Sequence, residues 1–402
     1  MEKSRIAERL RQVRVSPSSA IVDRIAALRR EGKTIINLAI GEPDFDTPPL
    51  IRRAASEAIE RGETRYTQTA GTMALRTAIA GKLARENDLS YAPEHIIVTC
   101  GAKHAIFNAL SVTLNPGDEV LVPSPYWVSY PDMVLACGGK PIVLPSEEVN
   151  DFKLTPAALE AAITPASRWL ILNYPNNPTG TVHSREELAA LAAVLMRHPH
   201  VMVLTDDIYE HISFDQQKVS HILAVEPRLK DRTMVINGVS KTYAMTGWRI
   251  GYAAGPSDLV AAMDMLQSQS TSGASSVSQA AAVAALNGEQ TVVQEMNAQY
   301  AARRDRALTM LDEIPGLSCR GSAGAFYLFV NCQGLIGKRN GAGAALADDV
   351  AVVRYLLEQA NVSLLPGSAY GTPGYLRLSI AVPVSVLEDG LTRIAAAVSS
   401  LV

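Results

Sequence analysis

Lys241 stands in a setting unusual for a lysine, between Gly238-Val239-Ser240 and Thr242-Tyr243-Ala244-Met245-Thr246-Gly247-Trp248, a run too apolar and aromatic for a solvent-facing loop. Most lysines are solvated surface charges. An amine held in an apolar pocket beside a cationic group instead has a depressed pKa and forms an imine with a carbonyl cofactor. Such an imine acts as an electron sink when a pyridine nitrogen stays protonated, and a carboxylate against that nitrogen keeps it so. Asp206 is the candidate carboxylate, although Asp206-Asp207 reads equally as an acidic helix cap. Tyr209 and Asn177 can each reach a phenolic oxygen on a cofactor ring. Trp127 can lie flat against that ring or serve as an ordinary core aromatic.

A negatively charged group on the same ligand would need an anchor. Gly101-Ala102 sits where a strand gives way to a helix, and free backbone N–H groups at a helix start form an anion site. The glycine alone would also suit a tight turn. Arg249, eight residues after Lys241, offers a second anchor through its planar fork of donors.

These residues share a position relative to the elements that carry them. Short apolar runs at 96–100, 119–122, 141–144, 169–173, 201–205, 233–237 and 250–254 alternate with helical patterns. That rhythm predicts βαβ units and an α/β fold with a mostly parallel sheet. In such a sheet, ligands collect at the carboxyl edge of the strands, and Gly101, Asn177, Asp206 and Lys241 all follow a predicted strand directly. Ser184 with Glu187 three residues on predicts a capping box, with His198-Pro199 ending that helix. After about Asn297 a charged helix around 300–311 and strand-like pieces at 325–330, 362–365 and 375–380 predict a smaller α+β unit. Residues 334–347 read as a surface loop. The expected division is a large domain over 46–297 and a small one made of 1–45 with 298–402.

The bulk properties narrow the function classes. The 402 residues are 48% hydrophobic and 19% charged, as in soluble globular enzymes. A formal charge of −3 provides no field to gather nucleic acid or anionic lipid. Cys100, Cys137, Cys319 and Cys332 form no C-x-x-C pair, which speaks against a zinc site or disulfide framework. Residues 1–14 lack the apolar core of a secretory signal, and no run reaches the ~20 apolar residues of a membrane span. A cytoplasmic location, no membrane contact and no bound metal are expected.

The segments Ser240-Lys241, Thr246-Gly247-Trp248-Arg249-Ile250-Gly251-Tyr252, Asn176-Asn177-Pro178-Thr179-Gly180, Gly41-Glu42-Pro43-Asp44-Phe45 and Ser124-Pro125-Tyr126-Trp127-Val128-Ser129-Tyr130-Pro131 together resemble the class I aminotransferases of fold type I. Within that family the chain is most similar to the bacterial aspartate and aspartate/prephenate branch, from about Val13 onward. The resemblance implies a three-layer α/β/α domain binding pyridoxal 5'-phosphate as a Schiff base on Lys241, which also carries the proton during transamination. It implies Asp206 at the pyridine nitrogen, Tyr209 and Asn177 at the phenolic oxygen, and Trp127 stacked on the ring. Gly101, Ala102, Lys103, Ser240 and Arg249 would hold the phosphate, with Tyr66 reaching it from the second subunit of a homodimer.

On the substrate side the resemblance implies Arg377 for the α-carboxylate, assisted by Gly41, Trp127 and Asn177. Lys103 would meet the side-chain carboxylate of aspartate, with the N-terminal segment 14–19 closing over it. The chain departs from the branch there: Ser16-Pro17-Ser18-Ser19-Ala20 lacks the usual lysine before the proline and threonine after it. His104 is expected to be a helix residue rather than a catalyst. Aspartate with 2-oxoglutarate is the expected substrate pair. Aromatic, prephenate or secondary-metabolic transamination and β-elimination are the alternatives on the same scaffold. A transcription regulator with an aminotransferase-like domain is disfavoured, because Gly41-Glu42-Pro43 comes too early to leave room for a winged helix-turn-helix.

Overall fold

The computed structural model describes residues 5–14, 24–28, 30–215 and 219–402. Among them, twelve strands run in chain order: β1 Ile36–Asn37, β2 Ile96–Thr99, β3 Glu119–Pro123, β4 Lys140–Leu144, β5 Ser167–Leu172, β6 Met202–Asp206, β7 Thr233–Gly238, β8 Gly251–Ala254, β9 Tyr327–Asn331, β10 Val362–Ser363, β11 Leu365–Pro366 and β12 Tyr375–Ser379. Seven of them form one sheet in the order β2-β8-β7-β6-β5-β3-β4. Its pairings are parallel except at β8, which runs antiparallel to both β2 and β7.

The central strands are apolar without alternation because both faces are covered, whereas the edge strand β4 is partly exposed. Val98, Val203, Val235 and Ala254 pack into one core. Their neighbours Ile97, Leu204, Ile236 and Ala253 pack into another on the opposite face. This is the three-layer α/β/α arrangement that the resemblance implied, built on the mostly parallel sheet expected from the alternating pattern. The Ser184–Glu187 capping box is present and starts the helix Arg185–Arg197, which ends at His198.

Beyond the large sheet, β11, β12 and β9 form a three-stranded antiparallel sheet. The N-terminal β1 pairs in parallel with β10, so chain from both ends meets there. The stretch read as one strand at 362–365 is two short strands in two different sheets. The charged helix expected around 300–311 is longer, Thr291–Asp312, and runs unbroken past position 297.

A buried ionic cluster ties the helix Met73–Asn87 to the sheet below the site. The Lys82 ammonium donates to Glu210 and to Asn87, while Asn87 and Asn237 each donate to the Glu210 carboxylate. Against the upward push of burial, Lys82 and His211 with these donors hold the Glu210 carboxyl down at about 2. Lys82 is 1% exposed, so removing it strands a buried carboxylate. Lys82→Ala is expected to cost about 3–5 kcal/mol, read as a lowered denaturation midpoint. A midpoint within about 0.5 kcal/mol of the parent would refute the assignment of this cluster as a structural tie.

Candidate active site

One cavity of about 530 Å³ opens at the carboxyl edge of the large sheet, between it and the smaller sheet. Gly41, Ala102, Lys103, Trp127, Asn177, Asp206, Tyr209, Ser240, Lys241, Arg249 and Arg377 all line it. The turns after β5, β6 and β7 deliver Asn177, Tyr209 and Lys241, β6 ends in Asp206 itself, and β12 delivers Arg377 from the other side.

Lys241 is half-buried, and its Nζ donates to the carbonyl of Gly41. Burial lowers the amine to about 8, with Arg377 and Arg249 adding to the fall and Glu42 and Asp206 opposing it. At pH 7 roughly a tenth of this amine is therefore free of its proton, far more than in a surface lysine.

Asp206 is 4% exposed. Burial raises its carboxyl to about 6, and the Tyr130 hydroxyl, donating to Oδ2 at 2.6 Å, works against that rise. The other oxygen, Oδ1, is buried and finds no donor among the described residues. A carboxylate arranged this way lacks one cationic or N–H partner.

Gly101 adopts φ 91° immediately before the helix Ala102–Thr113. Only glycine serves here, because a Cβ would also collide with the Arg249 guanidinium. Arg249 donates to the carbonyls of Cys100 and Thr246. A guanidinium beside the first-turn amides of a helix makes an anion cradle of backbone and side-chain donors.

Arg377 is 3% exposed. It donates to Asn177 Oδ1 at 3.1 Å and to the carbonyl of Ala39 at 2.7 Å. Its Nε has no acceptor, and no carboxylate of the described residues pairs with it. A buried guanidinium satisfied only by neutral acceptors is poised for an incoming carboxylate.

Lys103 lies at the mouth of the same cavity, its Nζ 4.7 Å from the Trp127 ring centre. Burial and the neighbouring Arg249 lower its pKa. Trp127 in turn packs edge-on against Tyr130. His104 lies in the helix after Gly101, where its Nδ1 accepts from the Cys100 amide. Tyr66 is 99% exposed and is absent from the lining of this cavity. Of the N-terminal segment, Arg14 pairs with Asp132, and 15–20, Ala20 included, lie outside the described residues.

Sequence reasoning passed over several lining residues. Tyr130, which holds Asp206, lies unassigned inside the motif running from Ser124 to Pro131. Asn173 donates to the Asp206 carbonyl and accepts from the Asn177 amide, and its place at the end of a predicted strand was a usable signal. Glu42 accepts from Thr246 and faces Lys241. Tyr327 comes from β9 in the smaller sheet, and nothing in its local sequence separates it from a core tyrosine.

The family described as "Aminotransferase class I and II" matches residues 33–394. An aspartate aminotransferase of Rhizobium meliloti is 49% identical over 98% of this chain and 96% of its own length. An aspartate/prephenate aminotransferase of Cereibacter sphaeroides is 46% identical over 97% of this chain and 98% of its own length. The crystal structure of a Rhizobium meliloti aspartate aminotransferase superposes with a TM-score of 0.97, 48% identity and complete coverage of both chains. That of the Thermus thermophilus enzyme with maleate gives 0.92 at 37% identity, covering 98% of this chain and all of that one. The match spans the whole fold and every element that builds the cavity, and the chain belongs to the class I and II aminotransferases.

Proposed function

We propose that this aminotransferase uses pyridoxal 5'-phosphate and moves the amino group of L-aspartate to a 2-oxo acid such as 2-oxoglutarate in two half-reactions at one site. The observation that carries the reading is the pairing of two unmet demands in one cavity: the donorless Oδ1 of Asp206 and the carboxylate-free guanidinium of Arg377.

The residues fit this cofactor. Asp206 Oδ1 would take the ring N–H, Tyr209 and Asn177 the phenolic oxygen, and Trp127 the ring face. The cradle of Gly101 and Ala102, with Ser240 and Arg249, would take the phosphate, and Lys241 the aldehyde. When bound, the cofactor supplies a carbonyl that joins amines covalently and a cationic ring that withdraws electrons from the breaking bond.

The chain supplies the rest. Arg377 binds the α-carboxylate through its fork and so orients the α-carbon in the cavity. The Nζ of Lys241, held near its pKa of about 8, takes the proton from the α-carbon and keeps it within the site. Asp206, held by the Tyr130 hydroxyl, would stay ionised and keep the ring nitrogen protonated.

Aspartate is favoured over a monocarboxylic donor by Lys103, a second cation in the cavity, and by the names of the relatives. Prephenate is the second reading, favoured by relatives named aspartate/prephenate aminotransferase and by the Trp127 ring beside Lys103. Lys103→Ala is expected to raise KM for aspartate by about 50-fold and leave alanine turnover nearly unchanged. Purified protein given aspartate and 2-oxoglutarate should form oxaloacetate. Release of pyruvate or ammonia instead would make it a lyase.

Tyr66, almost fully exposed, supports a homodimer in which it completes the phosphate site of a second copy. A dimer is also expected to lose cofactor on Tyr66→Ala, whereas a monomer in sedimentation would remove this part of the proposal.

A further inference from the structure

Tyr327 touches both halves of the site and has been given no part in it. Its side chain is 1% exposed. Its hydroxyl lies 2.9 Å from that of Tyr209. The guanidinium carbon of Arg377 sits 4.2 Å from the centre of its ring, and Tyr370 approaches the same guanidinium at 5.4 Å. The geometry has a plain origin. In the smaller sheet Tyr327 pairs with Ser379, and Phe329 with Arg377, so the two side chains lie diagonally across adjacent strands on one face.

We propose that Tyr327 is a positioning residue that serves the two halves of the site separately, its ring fixing the Arg377 fork and its hydroxyl orienting Tyr209. A guanidinium laid on a ring face loses fewer rotamers when a carboxylate arrives, because its plane is already set. Arg377 depends on this more than most arginines, having no carboxylate of the described residues to hold it. The hydroxyl contact works on the other half. Either hydroxyl can donate in this pair, but once Tyr209 gives its one proton to an oxygen in the cavity, Tyr327 must be the donor between them, and that bond makes Tyr209 the stronger donor.

The inference rests on the transaminase reading, and the test separates the two. Cofactor-loaded parent, Tyr327→Phe and Tyr327→Leu are compared by calorimetric titration with succinate, a dicarboxylate without an amine. The pH midpoint of the cofactor's absorption band and the KM and kcat for aspartate are recorded alongside. Tyr327→Phe keeps the ring, so succinate affinity is expected to stay within about twofold, while the spectral midpoint rises by about 0.5 unit. Tyr327→Leu removes the platform, and succinate is expected to bind about tenfold more weakly with KM rising more than kcat falls.

Equal weakening of succinate binding by Phe and Leu overturns the role of the ring. An unmoved midpoint in Tyr327→Phe overturns the role of the hydroxyl. Should Tyr327→Leu fail to melt cooperatively, Tyr327→Met supplies the same comparison. A parent that shows no cofactor band sinks the transaminase reading and this inference with it, whereas a normal parent with unmoved variants sinks this inference alone.

Discussion

Replacing Lys241 with alanine is expected to lower kcat by at least about 10⁴-fold, because one side chain is asked to do two things. It would provide the covalent attachment and also the base that takes the α-proton. Both depend on the unprotonated amine, and burial with two nearby arginines enlarges that fraction near neutrality by bringing the pKa down to about 8. Among the described residues the Gly41 carbonyl is the amine's one hydrogen-bond acceptor, and alanine otherwise removes a charge that helps keep Asp206 ionised. The measurement is steady-state turnover together with borohydride reduction of the loaded enzyme, followed by peptide mapping. Label on a residue other than 241, or turnover within tenfold of the parent, would sink the assignment.

Asp206→Ala is expected to cost about 10³-fold in kcat, the scale of losing one preorganised electrostatic partner in a dry site. The carboxylate's pKa of about 6 leaves it ionised at pH 7, but only a cation facing Oδ1 would hold it so as the pH falls. The Tyr130 hydroxyl secures the other oxygen and thereby aims Oδ1 into the cavity. Asp206→Asn is the sharper comparison, because it preserves shape while losing the charge. If the Asn variant keeps more than about a tenth of the activity, charge at that atom is not what the reaction uses.

The large sheet was legible because strands buried on both faces must be apolar throughout, and that leaves short uninterrupted runs such as those of β5 and β7. Position then carried meaning: Asn177, Asp206 and Lys241 were findable as polar residues placed just where such runs stop. The smaller sheets were harder. Strands of two residues such as β10 and β11 carry no period, and the partner of β10, β1, lies at the other end of the chain. Tyr327 shows the same limit in the site. Its significance lies in which ring faces Arg377, a relation between two strands that neither strand's sequence encodes alone. Tyr66 differs again, since within one chain it faces only solvent.

The single reversed strand of the large sheet has a further consequence. Parallel strands all point their carboxyl ends at the cavity, so whatever precedes them is carried to the far side of the molecule. β8 runs the other way and is laddered to β7, Gly238 opposite Gly251, so the chain entering it passes the cavity instead. Lys241 and Arg249 thus ride on one hairpin connection clamped at both ends. The span from reactive nitrogen to anion anchor is set by local chain geometry and does not depend on where the smaller sheet places Arg377.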